Sequence, residues 1–197
     1  MISNIINRFN HDPAGNSLAV FVLLCMLYSL VHNGYKFYLG IPTAGQKRQS
    51  QASPNWLVPI LCLVGFLIAA YLSFIETTKN VAFCGPIGDC NSVQQSVYAK
   101  LLGIIPIGIV GMVGYVAIAA SWIMQIYGHA KWRVLSILTM GVMVVFGVLF
   151  SIYLTFLEPF VIGTTCIWCL STAVVMTLLL WVITNPVIQA WQEWNEA

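Results

Sequence analysis

The sequence predicts an all-α integral membrane protein of five spans: a four-helix core with one extra helix at its N-terminal side. Three observations carry that prediction. The chain is 59% hydrophobic and only 7% charged, whereas an ordinary globular domain is about 45–50% apolar and about 25% charged. So little charge cannot clothe a soluble surface. The apolar residues also fall into five runs, each near the roughly 20 residues a helix needs to cross the hydrocarbon core. Finally, each run is continuous rather than alternating, which disfavours a membrane β-barrel, and a helix satisfies its own backbone groups in lipid.

In chain order the runs cover about residues 18–38, 57–75, 104–122, 134–156 and 166–183. Asp12 and Pro13 precede the first, and Lys36 lies ahead of the nearest plausible cleavage point, after Ala44. That arrangement fits a retained helix better than a cleaved signal peptide. Pro59 and Pro106 stand near the starts of the second and third runs, where a missing N–H costs little. The organisation expected is an N-terminal segment 1–55 with the extra helix and a basic loop, a core 56–183, and a short tail 184–197.

Charge sets the expected orientation. Lys36, Lys47 and Arg48 lie at or after the end of the first run, and Lys131 and Arg133 lie between the third and fourth. These two regions share one face of a five-span chain and hold five of its eight Lys and Arg residues. The positive-inside rule makes that face cytoplasmic. The N-terminus and the loop 76–103 then lie outside, and the C-terminus inside.

Four of the six cysteines form two close pairs, Cys84 and Cys90 in "CGPIGDC" and Cys166 and Cys169 in "CIWC". Two crossings separate the pairs, so they share one side, and the charge rule makes it the outer side, where disulfides persist. Cys166 opens the last run with Thr164 and Thr165 as candidate caps. Free N–H groups at a helix start favour a thiolate, and paired Cys-x-x-Cys thiols tend to have lowered pKa values. Cys169 is three residues on, on the same face and nearer a lipid-soluble ligand, with Trp168 offering an aromatic surface between them. Gly85, Pro86 and Gly88 favour turns in the first pair's loop. After it, Val93, Val97 and Leu101 recur at helical spacing up to Gly103 and predict a short amphipathic helix. Ser96 lies toward its apolar face, as a hydrogen-bond donor to a ligand or bonded to its own helix.

Cys25 and Cys62 are expected to do no redox work. Their depths in the membrane differ by roughly 10 Å or more, too far for a disulfide, and free cysteine usually behaves as a small hydrophobe. For the other four, three readings stand on the residues alone: electron relay by thiol–disulfide exchange, structural staples, or a Cys₄ zinc site. Relay explains best why one pair sits in a flexible loop and the other at a helix mouth. A quinone is then the natural two-electron acceptor. Haem has no signature here: no Cys-x-x-Cys-His occurs, and His11, His32 and His129 are remote in sequence from the cysteines.

The run "CGPIGDCNSVQQSVYAKLLGIIPIGIVGMVGY", together with "CIWC" opening the last core helix, resembles the vitamin K epoxide reductase family, especially its bacterial members. Cys84, Cys90, Ser96, Tyr98, Gly103, Pro106 and Gly111 stand at matching positions. The resemblance implies that Cys84 and Cys90 exchange with a thioredoxin-like partner, that Cys166 resolves the loop disulfide, and that Cys169 faces a quinone beside Ser96. It also implies a bacterial plasma membrane, and dithiol oxidation outside coupled to quinone reduction. Ala173 stands where vertebrate members carry a tyrosine, and their vitamin K-contacting asparagine has no clear counterpart in "GIIPIGIVGMVGY". Ubiquinone or menaquinone is therefore the expected acceptor rather than vitamin K epoxide. About 14 residues follow Ile183, so no fused thioredoxin-like domain is expected and the partner is a separate DsbA-like protein. Quinone reductases of the DsbB type place their Cys-x-x-Cys in the first outer loop, unlike this chain. The extra N-terminal helix, which has no part in the family's chemistry, leaves one alternative: a non-catalytic subunit of a larger membrane assembly.

Overall fold

The computed structural model describes residues 9–10, 12–40, 55–78, 81–84, 88–96, 99–101 and 105–196. Lys47 and Arg48 of the basic loop, Gly85 and Pro86 of the cysteine loop, and Val97, Tyr98 and Gly103 lie outside them. Among the described residues, five helices are long and apolar enough to cross a membrane.

Helix α1 runs from Pro13 to Leu39, with Asp12 capping it by accepting from the Gly15 N–H at 3.1 Å. Pro13 at the first helical position explains why the helix starts five residues before the apolar run does. Helix α2 spans Leu57–Thr78. The segment after Cys90 departs from expectation. Only Cys90–Gln94 is helical (α3), capped by Asp89, whose carboxylate accepts from the Asn91 and Ser92 N–H groups. The chain then turns, with Ser96 and Ala99 N–H groups reaching three residues back. Lys100–Leu101 (β1) and Ile105–Pro106 (β2) close a two-residue antiparallel pairing. Pro106 has no N–H to continue a helix through this point, and the next one, α4, begins just after it, at Ile107–Tyr127.

Helix α5 covers Ala130–Leu157 and runs straight into one turn of π-helix, Glu158–Ile162. Pro159 cannot give an N–H to the carbonyl four residues behind it, and the wider turn is the result. Gly163 ends it in the left-handed region, φ 88°, its N–H on the Glu158 carbonyl at 2.7 Å. Helix α6 starts at Ile167 and continues to Glu196, well past Ile183; Pro186 sacrifices one ladder bond without ending it.

Helices α2, α4, α5 and α6 pack around a common core that includes Tyr115, Met140, Val144 and Leu179. Between α2 and α4 the backbones nearly touch: a Cβ on Gly108 would stand 2.6 Å from the Ser73 nitrogen and 3.0 Å from the Ala69 carbonyl oxygen. Gly108→Val is therefore expected to cost about 1–3 kcal/mol through overpacking. A thermal melt in detergent that matches the unsubstituted protein would refute this close approach.

Helix α1 packs outside this ring, against α5 and α6. It is fastened along its length. The Trp181 indole donates to Ser29 Oγ at 3.0 Å, His32 stacks between Tyr28 and Trp181, and Gln192 donates to the Gly40 carbonyl at 3.1 Å. In lipid there is little hydrophobic drive between helices, so packing and polar links of this kind hold them together.

Candidate functional site

The four paired cysteines, distant in sequence, meet at one end of the bundle. Cys90 and Cys166 are fully buried in an apolar cluster with Leu72, Ile75, Ala82 and Val93, and Cys84, Trp168 and Cys169 pack against it. Cys84 and Cys90 form a disulfide with Cα atoms 5.9 Å apart, while Cys166 and Cys169 are free thiols. Cys25 and Cys62 are also free: Cys62 is buried, but Cys25 faces outward from α1 rather than into the core.

Two hydrogen bonds lay the cysteine loop on the mouth of α6 and a third ties it to α2. The Trp168 indole donates to the Phe83 carbonyl at 3.0 Å, the Asp89 N–H to Thr164 Oγ1 at 3.0 Å, and the Phe83 N–H to the Tyr71 hydroxyl at 3.0 Å. Tyr71 and Trp168 are in ring contact at 4.9 Å. Trp168 thus anchors the residue next to Cys84.

Thr164 and Thr165 do not cap the helix. Thr164 holds the cysteine loop, and Thr165 donates to Asn16 Oδ1 at 3.0 Å. Glu158 supplies the acceptor instead. Its carboxylate, on the π turn and 2% exposed, takes the Cys166 N–H at 3.3 Å and lines the same cavity as Cys169. The hydrogen bond from Cys169 holds the Cys166 thiol below its ordinary pKa, outweighing burial, with help from the Cys169 and Trp168 backbone N–H groups and the Gln94 side chain. Cys166 therefore ionises at lower pH than a free cysteine, as an attacking sulfur requires.

Asn16 of α1 is completely buried, donating to the Gly163 carbonyl at 3.1 Å and the Phe9 carbonyl at 3.0 Å while accepting from Thr165. The helix outside the core ring thus braces the turn that carries Cys166. Asn16→Ala orphans these groups, at about 1–3 kcal/mol. It is expected to speed maleimide labelling of Cys166 about tenfold by easing local opening. Unchanged labelling would mean that the brace has no bearing on the thiol.

Below the cysteines a cavity of about 390 Å³ opens between α2, α4, α5 and α6, lined by apolar chains and by Glu76, Gln94, Ser96, Glu158 and Cys169. Its size and its few convergent polar groups suit a small organic ligand. The Ser96 hydroxyl donates to the Val93 carbonyl at 2.7 Å, the local bond open to a helix serine, while the residue still lines the cavity. The Gln94 amide reaches Cys169 Sγ at 3.8 Å. Ala173 is buried in the core.

Glu158, Glu76, Gln94 and Asn16 were not singled out by the sequence reading. For the two acids a signal existed: Glu76 and Glu158 stand just past the ends of the apolar runs 57–75 and 134–156, inside the helical spans Leu57–Thr78 and Lys131–Ile162, and an ionisable residue inside a membrane span marks a functional site by default.

The structure is a helical membrane bundle with a loop disulfide packed on a helix-mouth dithiol, above a largely apolar cavity. The family model described as the vitamin K epoxide reductase family matches residues 56–184. The chain belongs to that family and is a membrane oxidoreductase. The match begins after α1, so the helix carrying Asn16 lies outside it. A comparison with individually curated proteins returns no match.

Proposed function

We propose that this protein reoxidises a separate thioredoxin-fold protein of the DsbA type and passes the electron pair to ubiquinone or menaquinone in the membrane. In this reading it supports disulfide formation on the outer side of a bacterial plasma membrane, with the basic loops in the cytoplasm. The observation that carries it is the position of the cysteines. All four meet at the mouth of a cavity of quinone-compatible size, and Cys169 lines that cavity.

The roles follow from chemistry. The partner's dithiol reduces the Cys84–Cys90 disulfide. The loop thiols then reduce a Cys166–Cys169 disulfide, with Cys166 as the sulfur they exchange with. Each exchange breaks one S–S bond and forms another, moving two electrons and two protons. A loop disulfide beside two free helix thiols corresponds to the stage at which the electron pair has reached Cys166 and Cys169. Cys169 then contacts the quinone, with Ser96 and Gln94 as its polar neighbours.

The subunit reading drew on α1 having no role in the core. The bonds from Asn16 to Gly163 and Thr165 give α1 a role at the site, which favours the enzyme. The test is anaerobic turnover of purified protein with a reduced DsbA-like protein and a short-chain quinone, followed by quinone absorbance. Turnover supports the proposal; none, with several partners and quinones tried and the fold intact, favours the subunit.

A further inference from the structure

Moving an electron pair from two thiols to a quinone also moves two protons, and the cysteine end of the cavity is largely apolar. The Glu158 carboxyl is held against Cys166 and shares the cavity lining with Cys169. It accepts the Cys166 N–H at 3.3 Å and is 2% exposed. The π turn and the left-handed Gly163 aim it there. A buried carboxyl is costly without a task or a partner, and capping one N–H does not need an acid: a glutamine carbonyl would do the same.

Building on the quinone reading, we propose that Glu158 is a catalytic proton carrier, taking the Cys169 proton as the thiolate forms and delivering it to a quinone oxygen. Overall, two S–H bonds break and one S–S bond joins Cys166 to Cys169. The electron pair passes to the quinone, whose two oxygens become hydroxyls. Glu158 carries the proton from Cys169 to one quinone oxygen; the proton from Cys166 is released to water at the mouth, and the second quinone oxygen takes an equivalent proton from water. Proton transfer by a positioned side chain is worth typically 10²–10⁴-fold. The other titratable groups around Glu158 are Cys166 just before α6, Cys169 on α6, and Glu76 on α2, which lines the same cavity. Asp12 and Asp89, already accepting helix N–H groups, stand at the starts of α1 and α3.

The test uses the full chain in detergent with Glu158→Gln and Glu158→Asp, and has two readouts. The first needs no quinone: the reduced protein is alkylated over a range of pH and Cys169 labelling is read by peptide mass spectrometry. Glu158→Gln is expected to label Cys169 more slowly, its rate rising about tenfold per pH unit because hydroxide alone is left to take the proton. Glu158→Asp keeps a carboxyl and is expected to preserve part of the flatter wild-type profile. The second readout is reduction of a short-chain quinone by dithiol-reduced protein. Glu158→Gln is expected to lower kcat about 100-fold with little change in KM. Equal Cys169 labelling profiles in the wild type and both variants would overturn the proposal. So would equal losses and identical pH profiles in Gln and Asp, which would make Glu158 a spacer. A wild type that reduces no quinone would sink the quinone reading, while the labelling profile would still decide whether Glu158 serves Cys169.

Discussion

Cys169→Ser is expected to abolish quinone reduction, with a loss on the order of 10⁴-fold or more, as when an enzyme loses its nucleophile. Cys169 is the cysteine that lines the cavity, and a serine hydroxyl can neither form the Cys166–Cys169 disulfide nor donate the electron pair. The same assay on Cys25→Ser should stay within about twofold, since that side chain points away from the core and touches no reacting group. If the two variants behave alike, the cysteine roles proposed here are wrong. A companion measurement reads the pair directly. Cys169→Ala removes the hydrogen bond that does most to lower the Cys166 pKa. The Cys166 value must then rise, so its alkylation should shift to higher pH. No shift would mean that another group sets its reactivity.

The double variant Cys84→Ser/Cys90→Ser is expected to lose oxidation of a thioredoxin-fold partner by at least about 100-fold. It should still reduce quinone when a small dithiol replaces the partner. This separation follows from the site's layout. Cys166 is fully buried under the loop, so a protein-sized reductant needs the loop disulfide as intermediary. A small molecule can reach Cys166 whenever the loop opens locally, and opening of this kind draws on the low-stability end of a structure. Partner oxidation that survives in the double variant would show that the loop cysteines are not the shuttle. Loss with both reductants would show that they hold the site in shape rather than carry electrons.

Several features were legible in the sequence because they rest on local chemistry or on counting. Five continuous apolar runs demanded five helices, since lipid offers backbone groups no other partner. Two crossings between the cysteine pairs placed them at the same end whatever the orientation. Other features resisted local reading. Helical spacing of Val93, Val97 and Leu101 suggested a helix to Gly103, but the helix stops at Gln94, before a turn and a strand pairing that ends on Pro106. Pairing of this kind is a tertiary outcome that periodicity does not report. The threonines before Cys166 looked like caps because their residue type favours that role. The fold gave each a distant partner instead, and Glu158 took the cap.

The sequence by itself determined the class of molecule, the number of spans and the two close cysteine pairs at one end of the bundle. Composition and residue order suffice for these, because hydrophobic length and covalent spacing belong to the chain alone. Only the tertiary structure decided what surrounds those cysteines. Folding brings Glu158 to the cysteine site from eight positions before Cys166 and eleven before Cys169 by way of a π turn, Gln94 from the end of α3, and Asn16 from a helix roughly 150 residues away. The physical reason is burial. A carboxyl, an amide and an asparagine have no fixed meaning along a chain. Once water is excluded each must find a partner, and the packing of α1, α2, α5 and α6 decides which partner is within reach.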